Sequence, residues 1–140
     1  MTGDVLWDTY ADALIDCEIE GSRRLLRGPG AGPLPVLPTF VLTAYNPQGV
    51  EREQARNEAD EEQLERELAA SGVTFWPANG WSRDASWSEP GVALSGCGRA
   101  VACELGRRYG QLAVYELTAD TVHVVRCADH EVVRTRPRSE

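Results

Sequence analysis

The chain of 140 residues contains no lysine; all 14 of its basic residues are arginine, set against 22 acidic ones for a formal charge of −8. A protein that binds phosphate backbones does so by displacing counterions with a basic surplus. This sequence has no such surplus, which argues against broad nucleic-acid binding while leaving room for one local basic pocket. Histidine is almost as scarce, with only His123 and His130. The four cysteines, Cys17, Cys97, Cys103 and Cys127, form no CxxC pair, and the Cys97-x5-Cys103 spacing matches no zinc ligand set. They read as small buried thiols in a reducing compartment, and neither a metal nor a cofactor is expected. No apolar run approaches the roughly 20 residues needed to cross a bilayer. The opening "MTGDVLWDTY" lacks the basic and apolar regions of a signal peptide. A soluble cytoplasmic protein with no membrane association is the expectation. GxSxG, P-loop and HExxH patterns are also missing, so no activated nucleophile or phosphate cradle announces itself.

What is present is a succession of short periodic segments. Leu6, Tyr10, Ala13, Leu14 and Cys17 fall at helical spacing, which predicts an amphipathic helix over residues 4–16. Residues 18–26 are ambiguous and compatible with a short strand. "GPGAGPLPVLP" (28–38) is a loop, because proline and glycine at that density suit neither a helix interior nor a central strand. A strand over 39–45 follows, then a long Glu/Arg-rich helix over 50–71 stopped by Gly72. Strands are expected at 73–78 and 89–95, separated by a loop (79–88) that carries Trp81 and Trp87. A second helix over 98–109 precedes two hairpin strands, 111–117 and 121–127. Residues 131–140 read as a polar, frayed tail. One domain spans 1–130, with 1–38 as an N-terminal extension.

From residue 39 the order β-α-β-β-α-β-β matches a split βαβ, or ferredoxin-like, α+β plan. The expected sheet is antiparallel, ordered 4-1-3-2, with the last strand added beside the fourth and both helices on one face. In that topology the ends of strands one and two lie at the same edge as the starts of strands three and four. Thr43, Tyr45, Asn46, Trp81, Trp87, Glu89, Arg107, Arg108, Tyr109 and Gln111 are thereby expected to gather at one edge. Counting back from Leu64 and Leu68 puts Glu61 and Asn57 on the buried stripe of the long helix. A buried amide without partners costs roughly 1–3 kcal/mol, so Asn57 is expected to be bonded inward. Asn46-Pro47 ends the first strand, since proline lacks an N–H and restricts the residue before it.

The segments "FVLTAYNP", "RNEADEEQLERELAASG", "GWSRDASWSEPGVAL" and "ELGRRYGQLAVYEL" together resemble a small bacterial family of uncharacterised proteins, the domain of unknown function 3293. The likeness rests on Tyr45-Asn46-Pro47, Asn57, Trp87 with Glu89, and Tyr109-Gly110-Gln111. It covers roughly residues 40–127. The resemblance implies a location for a site and no established reaction.

Each of these residues has an ordinary structural use as well. Asn46 would satisfy a turn, the tryptophans would cap the sheet edge, and Glu89 would pair with Arg107 or Arg108. The functional expectation is a binding module whose polar pocket takes a small polar or nucleotide-like ligand. Thr43, Tyr45, Asn46, Asn57, Trp81, Trp87, Arg107, Arg108, Tyr109 and Gln111 would line it. Two alternatives stand beside it. One is a metal-independent hydrolase or transferase, with Glu89 as acid/base and Arg107 or Arg108 steadying negative charge. The other is a regulatory protein that binds a protein partner.

Overall fold

The computed structural model describes residues 3–140. In chain order the elements are α1 (Gly3–Asp12), β1 (Leu14–Ile19), β2 (Ser22–Arg27), β3 (Thr39–Leu42), a 3-10 turn (Pro47–Gly49), α2 (Gln54–Ser71), β4 (Phe75–Trp81), β5 (Ser88–Leu94), α3 (Arg99–Arg108), β6 (Ala113–Leu117), β7 (Thr121–Arg126) and β8 (Val132–Pro137). The fold is mixed, with three helices and one sheet of eight strands ordered β2-β1-β4-β5-β3-β6-β7-β8. Every neighbouring pair is antiparallel.

Alternation along the central strands separates two apolar layers. Phe40, Leu42, Val92, Leu94 and Val114 pack with Leu64 and Leu68 of α2 and with Ala102, Cys103 and Leu105 of α3. Val41 and Ala93, their neighbours in sequence, point the other way. They pack with Ile15, Ile19 and Leu26 of the β1–β2 hairpin and with Leu117 and Val122. Strands distant in the sheet order therefore meet over that second face, and the sheet curls. Its ends are tied where the Gly28 N–H donates to the Arg138 carbonyl at 2.9 Å and Arg138 Nη1 donates to the carbonyls of Leu26 (2.9 Å) and Gly32 (2.7 Å).

Several sequence expectations are corrected. The first helix stops at Asp12, and residues 14–19 form a strand instead of its last turn. The run "LIDCEI" is too short for its periodicity to decide between helix and strand. The deciding feature is the two-residue turn Glu20-Gly21, both at positive φ (51° and 81°), which pairs Ile19 with Ser22. The long helix starts at Gln54, because Pro47–Gly49 forms its own turn first. It ends as expected at Gly72, with φ 78°. β4 runs on through Asn79, Gly80 and Trp81, which pair with Pro90, Glu89 and Ser88, so the loop shrinks to residues 82–87. The expected polar tail contains β8, paired along β7 and anchored to α1 by Arg134 and Arg136, which reach Asp8 at 2.7 and 3.2 Å. No helix among the described residues is long and apolar enough to cross a membrane.

Candidate functional site

β3 leaves the sheet after Leu42, and Ala44, Tyr45 and Asn46 have no ladder partners. Unpaired backbone groups away from water are costly, so something else must meet them. Here side chains from distant elements do so. The Ala44 N–H donates to Glu61 Oε2 at 2.7 Å, and the Ala44 carbonyl accepts from Arg52 Nη2 at 3.0 Å. The Tyr45 N–H donates to Thr43 Oγ1 at 3.0 Å, and the Tyr45 carbonyl accepts from Gln111 Nε2 at 2.9 Å. The Asn46 N–H donates to Asn57 Oδ1 at 2.9 Å, and the Asn46 carbonyl accepts from the Gly49 N–H at 2.9 Å. Every N–H and C=O of Ala44, Tyr45 and Asn46 is thus satisfied.

Asn46 is the hinge of this arrangement. Its backbone is left-handed (φ 43°, ψ 64°), a conformation that asparagine tolerates better than most residues. Its Oδ1 accepts from Asn57 Nδ2 at 2.8 Å and from the Arg52 N–H at 3.2 Å. Its Nδ2 donates to Glu89 Oε1 at 2.9 Å. Gly110 locks the turn from the other side. It sits at φ 72°, and a Cβ there would stand 2.7 Å from Pro47 Cβ. Its carbonyl accepts from both the backbone N–H and the side-chain amide of Gln48, each at 2.8 Å. Tyr45-Asn46-Pro47 and Tyr109-Gly110-Gln111 are therefore two halves of one clasp.

The clasp forms one wall of a cavity of about 560 Å³. Strand register puts Glu89 on the same face of β5 as Gly91 and Ala93, opposite Val92 and Leu94. The cavity therefore opens on the face of the sheet that carries Val41 and Ala93, and it reaches round to the first turn of α2 at Gln54 and Asn57. α1 roofs it with Leu6, Thr9 and Tyr10, and Trp87, Tyr45 and Tyr115 supply aromatic walls. The Tyr115 hydroxyl holds α1 in place by donating to the Tyr10 carbonyl at 2.8 Å.

Glu89 is the half-buried acid of this space. Burial raises its pKa, against the lowering effect of the Asn46 hydrogen bond. Tyr10 is pushed up to about 12, mainly by burial and further by the charge of Glu89. Tyr115 moves in the same direction for the same first reason. Glu61 is more deeply buried, with only 7% of its surface exposed. Burial drives its pKa up to about 7 against the pull of the Ala44 N–H, and its Oε1 has no hydrogen-bond partner.

Of the residues expected at the site, Thr43, Tyr45, Asn46, Asn57, Trp87, Glu89 and Gln111 line this cavity. The others do not. Trp81 turns to the β1–β2 hairpin, where its indole N–H donates to Asp16 Oδ2 at 3.1 Å and Arg23 lies over its ring. Arg108 pairs with Glu67 at 2.6 Å, and Arg107 reaches Glu104 at 3.9 Å. The Tyr109 hydroxyl donates to Glu67 at 3.4 Å. The anticipated pairing of Glu89 with Arg107 or Arg108 is not made, because Arg108 reaches across to Glu67 of α2 and Arg107 lies along α3 beside Glu104; Asn46 is the partner instead. Neither Arg107 nor Arg108 is among the residues lining the cavity with Glu89.

Sequence reasoning missed Arg52, Tyr10 and Tyr115. Nothing local distinguishes Arg52 from the surrounding charged residues; its role arises from reaching Asn57 Oδ1 (2.7 Å), Asp60 Oδ2 (2.6 Å) and the Ala44 carbonyl together. Tyr10 carried a signal, its place on the apolar stripe of the first helix, but that stripe faces a cavity as well as the core.

The family described as "Protein of unknown function (DUF3293)" matches residues 42–114, a span that begins at the end of β3 and closes just after Gln111. No curated protein and no solved structure matches the chain.

Proposed function

Because the chain belongs to the DUF3293 family, whose description assigns no activity, we propose a function from the geometry: a binding module whose cavity takes a small polar or nucleotide-like ligand. The observation that carries this reading is the second carboxylate oxygen of Glu89. Oε1 is held by Asn46, while no donor among the described residues reaches Oε2, and Glu89 lines the cavity. A half-buried carboxylate oxygen without a donor favours a ligand that supplies one. The aromatic walls give such a ligand a flat apolar surface to lie against. In this reading the clasp is the scaffold: it fixes Glu89 through Asn46 and has few polar atoms left for the ligand. We read the five central strands with α2 and α3 as a ferredoxin-like, split βαβ plan, elaborated by the N-terminal hairpin and by β8, in a cytoplasmic protein.

The test is a thermal-shift and calorimetric screen of polar metabolites, nucleosides and nucleotides against the wild type and Gly80→Leu. Gly80 pairs with Glu89 across the strands, and a Cβ there meets nothing nearer than Trp87 at 4.0 Å, so a leucine side chain would fill the space beside the carboxylate. Ligands that stabilise the wild type and are lost in Gly80→Leu support the reading. A screen without hits, or hits that survive Gly80→Leu unchanged, overturns it.

A further inference from the structure

The charged groups around the cavity narrow the ligand, on the premise that the cavity is a binding site. The lining residues include two acids, Glu51 and Glu89, and one base, Arg52. The guanidinium of Arg52 spends Nε on Asn57 and Nη2 on Asp60 and the Ala44 carbonyl, so its charge is already paired with a carboxylate. A phosphate or carboxylate entering the cavity would meet one cation, already paired with Asp60, and would face the Glu89 carboxylate. With two acids against one base the charge of the lining is negative, and Glu89 adds to the burial that raises the neighbouring Tyr10 phenol. A negative lining, an unpartnered carboxylate oxygen and aromatic faces from Tyr10, Tyr45, Trp87 and Tyr115 make up the surroundings in which an organic cation is stabilised. Its charge meets the carboxylate, its N–H groups satisfy the open oxygen, and its body lies on ring faces of negative quadrupole.

We propose that the cavity binds a small organic cation, an amidinium, guanidinium or primary ammonium group on a compact apolar body, with Glu89 as its counter-ion and Trp87 as a stacking wall. The volume of about 560 Å³ lies within the range of small-molecule sites and leaves room for a body about the size of a single ring. Thr43 and Gln111 also line the cavity, but the Thr43 hydroxyl donates to the Pro90 carbonyl and the Gln111 amide nitrogen to the Tyr45 carbonyl. Discrimination therefore rests on Glu89.

Benzamidine, benzamide and benzoate share one shape and carry charges of opposite sign or none, so binding of the three by calorimetry or ligand-observed NMR isolates the charge. Agmatine and putrescine extend the comparison to guanidinium and ammonium groups, and AMP serves as the anionic probe. The expected result is that benzamidine or one of the two amines binds the wild type, with benzamide at least about tenfold weaker than benzamidine and with benzoate and AMP silent. Glu89→Gln, which keeps an acceptor for the Asn46 amide, should weaken cation binding by at least about tenfold. Should that variant fail to fold, the wild-type comparison of benzamidine with benzamide still decides. If AMP or benzoate binds the wild type, is lost in Gly80→Leu, and the cations do not bind, the cation inference is overturned while the binding-module reading stands. If no probe of either charge binds, both fall.

Discussion

Asn46 and Asn57 hydrogen-bond each other twice, the backbone N–H of Asn46 to Asn57 Oδ1 at 2.9 Å and Asn57 Nδ2 to Asn46 Oδ1 at 2.8 Å. One asparagine comes from an irregular strand exit and the other from the first turn of α2, so the pair fastens the loop to the helix. Asn57 is 3% exposed, and its Oδ1 also accepts from Arg52 Nε at 2.7 Å.

Asn57→Ala should therefore strand the Asn46 N–H and the Arg52 Nε, at a cost of about 2–3 kcal/mol. Asn57→Asp keeps the acceptor and loses the donor, so its cost should be smaller. Urea denaturation of the three proteins measures both; a variant with an unchanged midpoint would show that the loop is held by other contacts.

Gly110 and Gly72 separate backbone strain from contact. Both have positive φ, 72° and 78°, but a Cβ at Gly72 meets nothing within 4 Å whereas one at Gly110 would collide with Pro47. Gly72→Ala should cost about 1–2 kcal/mol, the penalty for a side chain in the left-handed region. Gly110→Ala should exceed that by about 1–3 kcal/mol, the usual cost of overpacking. Equal midpoints for the two variants would remove the clasp from the account of stability.

Glu61 should give the fold a dependence on pH. Its carboxyl binds its proton more readily in the folded protein, at about 7 against an ordinary value of 4.5. A group raised in this way favours the fold below its unfolded range, and that contribution is lost as pH rises through the folded value. Glu89 is raised too and acts in the same sense. Stability should decline between about pH 5 and pH 8 by up to about 3 kcal/mol for Glu61, at about 1.4 kcal/mol per unit. Glu61→Gln should flatten the profile and raise the melting temperature at pH 8. A wild-type melting temperature that is level or rising over this window would contradict the assignment.

Arg138 tests whether the C-terminal segment is structural. It is 7% exposed, and besides the carbonyls of Leu26 and Gly32 it donates to the Ala119 carbonyl from Nε at 3.1 Å and Nη2 at 2.9 Å. Arg138→Ala leaves those carbonyls without their charged donor and should cost about 2–4 kcal/mol, a fall of about 10 °C in melting temperature. A frayed tail would show no change.

Periodicity and punctuation were enough to read much of the α2–β7 region. The Leu64–Leu68 stripe put Asn57 and Glu61 inside, and Gly72 marked the end of α2 through its backbone freedom. The same rules failed at both ends of the chain. Residues 14–19 look helical or extended depending on which partner is present, and 132–137 look polar because an edge strand can keep charged side chains outward while its backbone pairs. Trp81 and Trp87 are alike in sequence, yet one serves the hairpin and the other lines the cavity, because β4 extends three residues beyond its expected end and carries Trp81 with it while Trp87 stays in the loop.

The sequence by itself determined that Asn57, Glu61, Leu64 and Leu68 share the buried face of α2 and that this helix stops at Gly72, since these follow from helical spacing and from glycine's backbone freedom. Only the tertiary structure decided which polar residues face a common space. The curl of the sheet carries the hairpin and α1 over one face, turning Glu89 toward tyrosines from the two halves of the chain. α2 meanwhile draws Arg108 away to Glu67. Contacts of that range depend on the path of the whole backbone, which no local pattern encodes.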